Sequence, residues 1–136
     1  MAKFVATDYK VTINGTNLSS SLTSVDLSLS ADEVDTTTFG GEWRTVTGGL
    51  KSGSITLNFN QDFGAGAVDA TLFPLFNTAA TVVIQPTSAT VSATNPSYSI
   101  IALCNSYQPF ASSVGDLATL SVSWPTSGTV VRGTSA

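Results

Sequence analysis

Apolar and polar positions alternate in several short runs along the chain. Tyr9, Val11 and Ile13 alternate with polar partners in "YKVTIN", the period of a half-buried strand. Asn14-Gly15 follows, the favoured pair for a tight hairpin turn. Leu18 and Leu22 bracket a Ser-rich corner. Val25, Leu27 and Leu29 then alternate with Asp26, Ser28 and Ser30, which predicts a second strand with the three apolar residues in the core. A third strand is predicted over 53–60, with Ile55, Leu57 and Phe59 facing the core. The second and third strands are expected to pair antiparallel. Between them lies "ADEVDTTTFGGEWRTVTGGLKSG", too long for a tight turn and too polar for a core. It is read as a long projecting hairpin loop over about 30–52.

The period changes over 65–76, where Val68, Leu72, Leu75 and Phe76 fall on one helical face with Leu72 in the core. Asp62 is placed to cap this helix, Asp69 to face solvent, and Pro74 to keep it short. Further strands are predicted over 80–86, 97–104 and up to Trp124, a core residue. Ile100 and Ile101 fall on opposite faces, and 105–114 continues extended. The segment 126–136 is a polar tail, mobile or ordered only against a partner. With about seven strands and one short flanking helix, the expected fold is mainly β: a two-sheet antiparallel β-sandwich or distorted barrel. A length of 136 residues makes 1–136 a single domain by default.

Composition narrows the function. Only 10% of residues are charged, against about 25% on average, and Ser and Thr fill the gap. Such a surface suits a protein covered by neighbours, since a free monomer relies on charge for solubility. The net charge is −4, and the basic residues Lys3, Lys10, Arg44, Lys51 and Arg132 are scattered. No basic patch exists to neutralise phosphates, which argues against tight nucleic-acid binding. Cys104 is alone among apolar neighbours and reads as a buried hydrophobe. The start of the chain lacks a signal-peptide core, and no run approaches the ~18 apolar residues of a membrane span. Cytoplasmic synthesis without a membrane anchor is expected.

The chain contains no His, which removes the commonest general base, the Ser-His triad and most zinc sites. Asp32, Glu33 and Asp35 cluster, but not with the spacing of a calcium-binding hand. Asp62 and Asp69 suggest no cleft for a carboxylate pair. No enzyme activity, cofactor or metal is expected. Phe39 and Trp43 stand among polar and glycine residues. Either the loop folds back to bury them, or they anchor another subunit.

The stretch from Val25 to Phe59 resembles the major tail tube proteins of long, non-contractile-tailed (siphovirus-type) bacteriophages. The resembling features are "VDLSLS", then "ADEVDTTTFGGEWRT", then "GLKSGSITLNF". "AVDATLFPLF" is similar to the flanking helix of that family, and "TNPSYSIIALCNSYQPFASSVGDLATLSVSWPTSG" to its C-terminal half. The resemblance implies a virion structural protein. Hexameric rings would stack head to tail into a tube, their inner sheets joined into one barrel, with DNA passing a negative lumen. It implies tape measure, tail terminator and distal tail or initiator proteins as partners. It also makes the loop a clamp between subunits: Asp32, Glu33, Asp35, Phe39, Trp43, Arg44 and Lys51 become interface candidates, with Arg44 and Lys51 meeting carboxylates on a neighbour. Which of Asp26, Asp62, Asp69 or Asp116 faces the lumen depends on strand register. A capsid decoration protein and a carbohydrate-binding sandwich are the alternatives.

Overall fold

The computed structural model describes Lys3 and residues 5–134. Met1, Ala2 and Phe4, and the last two residues of the polar tail, Ser135 and Ala136, lie outside the described residues. Strands β1 (Lys10–Ile13) and β2 (Thr16–Asn17) lead into β3 (Leu22–Asp35) and β4 (Val46–Asn60). A short helix α1 (Val68–Leu72) follows, continued by one 3-10 turn over Phe73–Leu75. Strands β5 (Ala79–Gln85), β6 (Ser97–Leu103), β7 (Thr119–Pro125) and β8 (Val131–Gly133) complete the chain. Two antiparallel sheets result, a five-stranded one ordered β2-β1-β5-β6-β8 and a three-stranded one ordered β3-β4-β7. The pair is a β-sandwich and not a closed barrel. Asn14 and Gly15 both take positive φ between β1 and β2, as a tight hairpin turn of this kind requires.

Ile55, Leu57 and Phe59 from β4 and Leu120, Val122 and Trp124 from β7 meet Val11, Ile13, Val82, Ile100 and Ala102 of the other sheet. Val68 and Leu72 close the core from the helix side. Cys104 is buried there too, and burial pushes its thiol up to about 11. Trp124 satisfies its indole by donating from Nε1 to the Ser106 carbonyl at 2.9 Å.

Several expectations change. Val25 and Leu27 are half-buried and pack against the core, but Leu29 is 54% exposed rather than core. The reason is position: β3 is the edge of its sheet, and β7 ends at Pro125, opposite Ser54. Leu29 pairs with Gly53, one rung beyond the end of β7. The presumed loop is largely strand, for β3 and β4 run on to a last pair Asp35–Val46, with a bulge between Ala31 and Glu33. Only 36–45 is a true loop. Residues 105–114 join no named strand, whereas part of the tail does: β8 pairs with β6 through Ser97–Gly133, Tyr98–Arg132 and Ser99–Val131. Ile100 is buried, but Ile101 on the opposite face is 43% exposed.

Candidate assembly surfaces

The first surface is the outer face of the three-stranded sheet. Residues directly opposite on paired strands share a face. Ser24–Asn58–Ser121 and Asp26–Thr56–Ser123 form successive rungs, followed by Ser28–Ser54–Pro125 and by Ser30–Ser52. The Thr56 hydroxyl donates to Ser123 Oγ at 3.3 Å, and the Ser30 and Ser52 hydroxyls lie 3.2 Å apart. On these rungs Asp26 is the single charge, and no cation stands among them. The result is a surface lined mostly by hydroxyls.

The second surface is the ribbon beyond that sheet. Past Pro125 the β3–β4 pair has no third strand, and a two-stranded ribbon alone is marginally stable in water. Its tip is tied by Thr residues. The Thr36 amide donates to the Thr45 carbonyl at 2.8 Å, and the Thr45 amide to Thr37 Oγ1 at 2.9 Å. Asp35 Oδ1 accepts from the Thr37 amide at 2.8 Å, and these Thr37 bonds hold its carboxyl below the usual carboxylate range, with Arg44 a smaller contributor. Phe39 and Trp43 do not fold back: they are 106% and 85% exposed. Glu33, Asp35 and Arg44 come together within one hairpin, since Arg44 Nη2 lies 3.7 Å from Glu33 and 3.5 Å from Asp35. Within the described structure Arg44 therefore has its carboxylates on its own chain. Asp32 is exposed on β3 before the tip. Among the described residues no cluster of three potential metal ligands forms.

Lys51 lies apart from the tip. It shares a groove of about 800 Å³ with Leu29, Tyr98, Val130 and Arg132, on the open side of the sandwich. A second groove of about 580 Å³ adjoins it along Val25, Leu27, Ile84 and Tyr98. Both open beside β3, a 14-residue edge strand, and long unprotected edges are templates for pairing with another chain.

The third surface is the pole opposite the tip. Beyond Asn60 the Gln61 amide donates to the Ala118 carbonyl at 2.8 Å. Asp62 does not cap α1 with its side chain: Oδ1 accepts from the Gly64 amide at 2.8 Å, and its carbonyl accepts from the Asp69 amide. Asp69, expected in solvent, is half-buried and accepts from the Tyr107 hydroxyl at 2.6 Å. Gln61 Nε2 donates to the Pro109 carbonyl at 2.9 Å. This network seats the segment that carries Phe110, whose ring stacks on Phe63 with centroids 5.5 Å apart. Sequence reasoning missed this pole, for Phe63 and Phe110 are far apart in the chain and neither lies in a periodic run.

Tyr107 gives the network a pH signature. Burial, with the Asp69 hydrogen bond second, pushes its phenol from 10.0 up to about 12. Between those values the unfolded chain has lost the proton and the native chain keeps it, so stability falls as pH rises through the window. Tyr107→Phe is expected to cost about 1 kcal/mol at neutral pH and to lessen the fall in stability between pH 10 and 12, leaving the part that Cys104 contributes up to about 11. Urea titrations of both proteins across that range check it; identical slopes would contradict the assignment.

No protein-family model matches the chain, and no curated protein does. Two solved assemblies contain similar folds. A chain of the virion of a native gene transfer agent particle superposes with a TM-score of 0.73 at 16% identity, over 92% of this chain and 95% of that one. A chain from the tail of an empty gene transfer agent particle, with C6 symmetry, gives 0.53 at 17% identity, over 82% and 81%. At these identities the likeness is one of fold: the chain is a β-sandwich of the kind found in gene transfer agent particles.

Proposed function

We propose that the chain is a structural tail protein of a phage-like particle. In this reading it polymerises as stacked hexameric rings into a tail tube through which DNA passes. It resides in the virion tail after synthesis in the host cytoplasm, with tape measure, terminator and distal tail proteins as its neighbours. The observation that carries the reading is the exposed face of the three-stranded sheet, all hydroxyl and amide except for Asp26 and Pro125 and free of cations. A conduit wall must touch DNA without holding it, and one repeated carboxylate on a hydroxyl surface repels phosphate without binding it. The fold likeness to chains of gene transfer agent particles, one from a tail with C6 symmetry, supports the same reading. So does the open β3 edge, which closure of sheets across subunits would cover.

Asp26 is then the lumen carboxylate, and Asp26→Lys tests this. Assembled wild-type tubes are expected to leave short duplex DNA in the supernatant on sedimentation. Tubes of the variant should retain it in a salt-sensitive manner, with the retained DNA protected from nuclease. Retained DNA that is fully digested would place Asp26 on the outside of the tube.

A further inference from the structure

The two ends of β4 carry matching apolar surfaces. The strand is 15 residues long, and at about 3.4 Å per residue it separates its ends by roughly 50 Å. Phe39 and Trp43 stand beyond the Val46 end, flanked by exposed Val46 and Leu50. Beyond the Asn60 end stands the Phe63–Phe110 stack, 54% and 79% exposed, with Leu117 and Val114 at 69% and 105%. Scattered apolar residues on a surface are ordinary, and Phe73 and Phe76 are also exposed in the turn after α1, but a tip with two bare aromatics and a stacked aromatic pair at the two ends of one strand are not scattered.

We propose that the Phe63–Phe110 pole is the acceptor for the Phe39/Trp43 tip of a second copy of this chain. The inference rests on the polymerising reading and names the partner of its hairpin. Tip and acceptor differ, so the contact is heterologous, and repeating it generates a filament instead of a closed dimer. The area suffices. A large aromatic buries roughly 150–250 Å², so four contribute roughly 600–1,000 Å². The flanking Val and Leu residues carry the total past the ~1,000 Å² that a stable interface needs. Charge does not drive the contact. Asp62 and Asp116 flank the acceptor, and Asp32, Glu33, Asp35 and Glu42 the tip, with Arg44 engaged by Glu33 and Asp35. The junction is therefore an apolar lock, which salt strengthens by screening like charges. The seat is preformed, because Tyr107 and Gln61 fix the Phe110 segment before any partner arrives.

Cysteine pairing tests the inference. Chains carrying Glu42→Cys are mixed with chains carrying Ala111→Cys under mild oxidation, so that Phe39, Trp43, Phe63 and Phe110 all stay in place. Both positions are exposed, so neither substitution disturbs the core, and buried Cys104 stays silent. The mixed disulfide is expected to form ~tenfold faster than either like pair, since docking raises the effective thiol concentration. Equal rates for mixed and like pairs would overturn the acceptor assignment. Wild-type tubes imaged in parallel separate this from the parent reading. Tubes with equal rates would sink the acceptor alone. A mixed-pair preference without tubes would keep the acceptor and sink the ring assembly.

Discussion

Trp124→Ala is expected to lower the unfolding free energy by about 3–5 kcal/mol, the cost of emptying a buried aromatic site. Trp124 is 1% exposed and sits opposite Ile55 in the rung that closes the sandwich toward the ribbon. Two losses add. The first is the apolar area and the cavity left behind. The second is the Ser106 carbonyl, which loses its indole donor. A domain of this size holds about 5–15 kcal/mol in total, so the change removes a large share. Trp124→Phe separates the terms. It keeps most of the packing and loses the hydrogen bond, and is expected to cost about 1–2 kcal/mol. Far-UV circular dichroism in urea reads both variants. A Trp124→Ala midpoint indistinguishable from wild type would show that the residue does not carry the core.

Replacing 36–45 with Asn-Gly is expected to abolish assembly and leave the monomer intact. Asp35 and Val46 are the last paired residues, so a two-residue turn can join them directly. The excised segment is exposed throughout, and its removal should change monomer stability by no more than about 0.5 kcal/mol. Its effect on association is far larger. Aromatic anchors at interface centres are worth about 2 kcal/mol or more each, so losing Phe39 and Trp43 together raises the assembly threshold by about 10³-fold. Light scattering over a concentration series measures that threshold. Tubes forming at the wild-type concentration would remove the tip from the interface.

Much of the sandwich was legible because a strand over a core writes its period into the sequence. Ile55, Leu57 and Phe59 alternate, and all three are buried. The same rule misplaced Leu29. Alternation shows which face a side chain points from, and it is silent on whether a second sheet lies opposite. The ribbon escaped for the converse reason: with no core beneath it, β3 and β4 beyond Leu29 had no apolar rhythm to show. Their Thr and Val residues were the available signal, and charge and glycine masked it. The β8 strand was hidden by its brevity, since Val131–Gly133 is three residues in a polar tail. Arg44 was assigned to a neighbour because its nearness to Glu33 and Asp35 depends on the pairing of the tip, Glu33 with Gly48 and Asp35 with Val46, which the sequence does not show. The acceptor pole was the least legible. Asp69 and Tyr107 are 38 positions apart, and only the folded chain brings them within hydrogen-bonding distance.

The most direct test is electron microscopy of the purified chain over a concentration series. Sixfold rings stacking into hollow tubes, with the three-stranded sheets lining the bore, are the expected result. Particles that remain single chains at every concentration, with or without an added tail initiator complex, would contradict the tube.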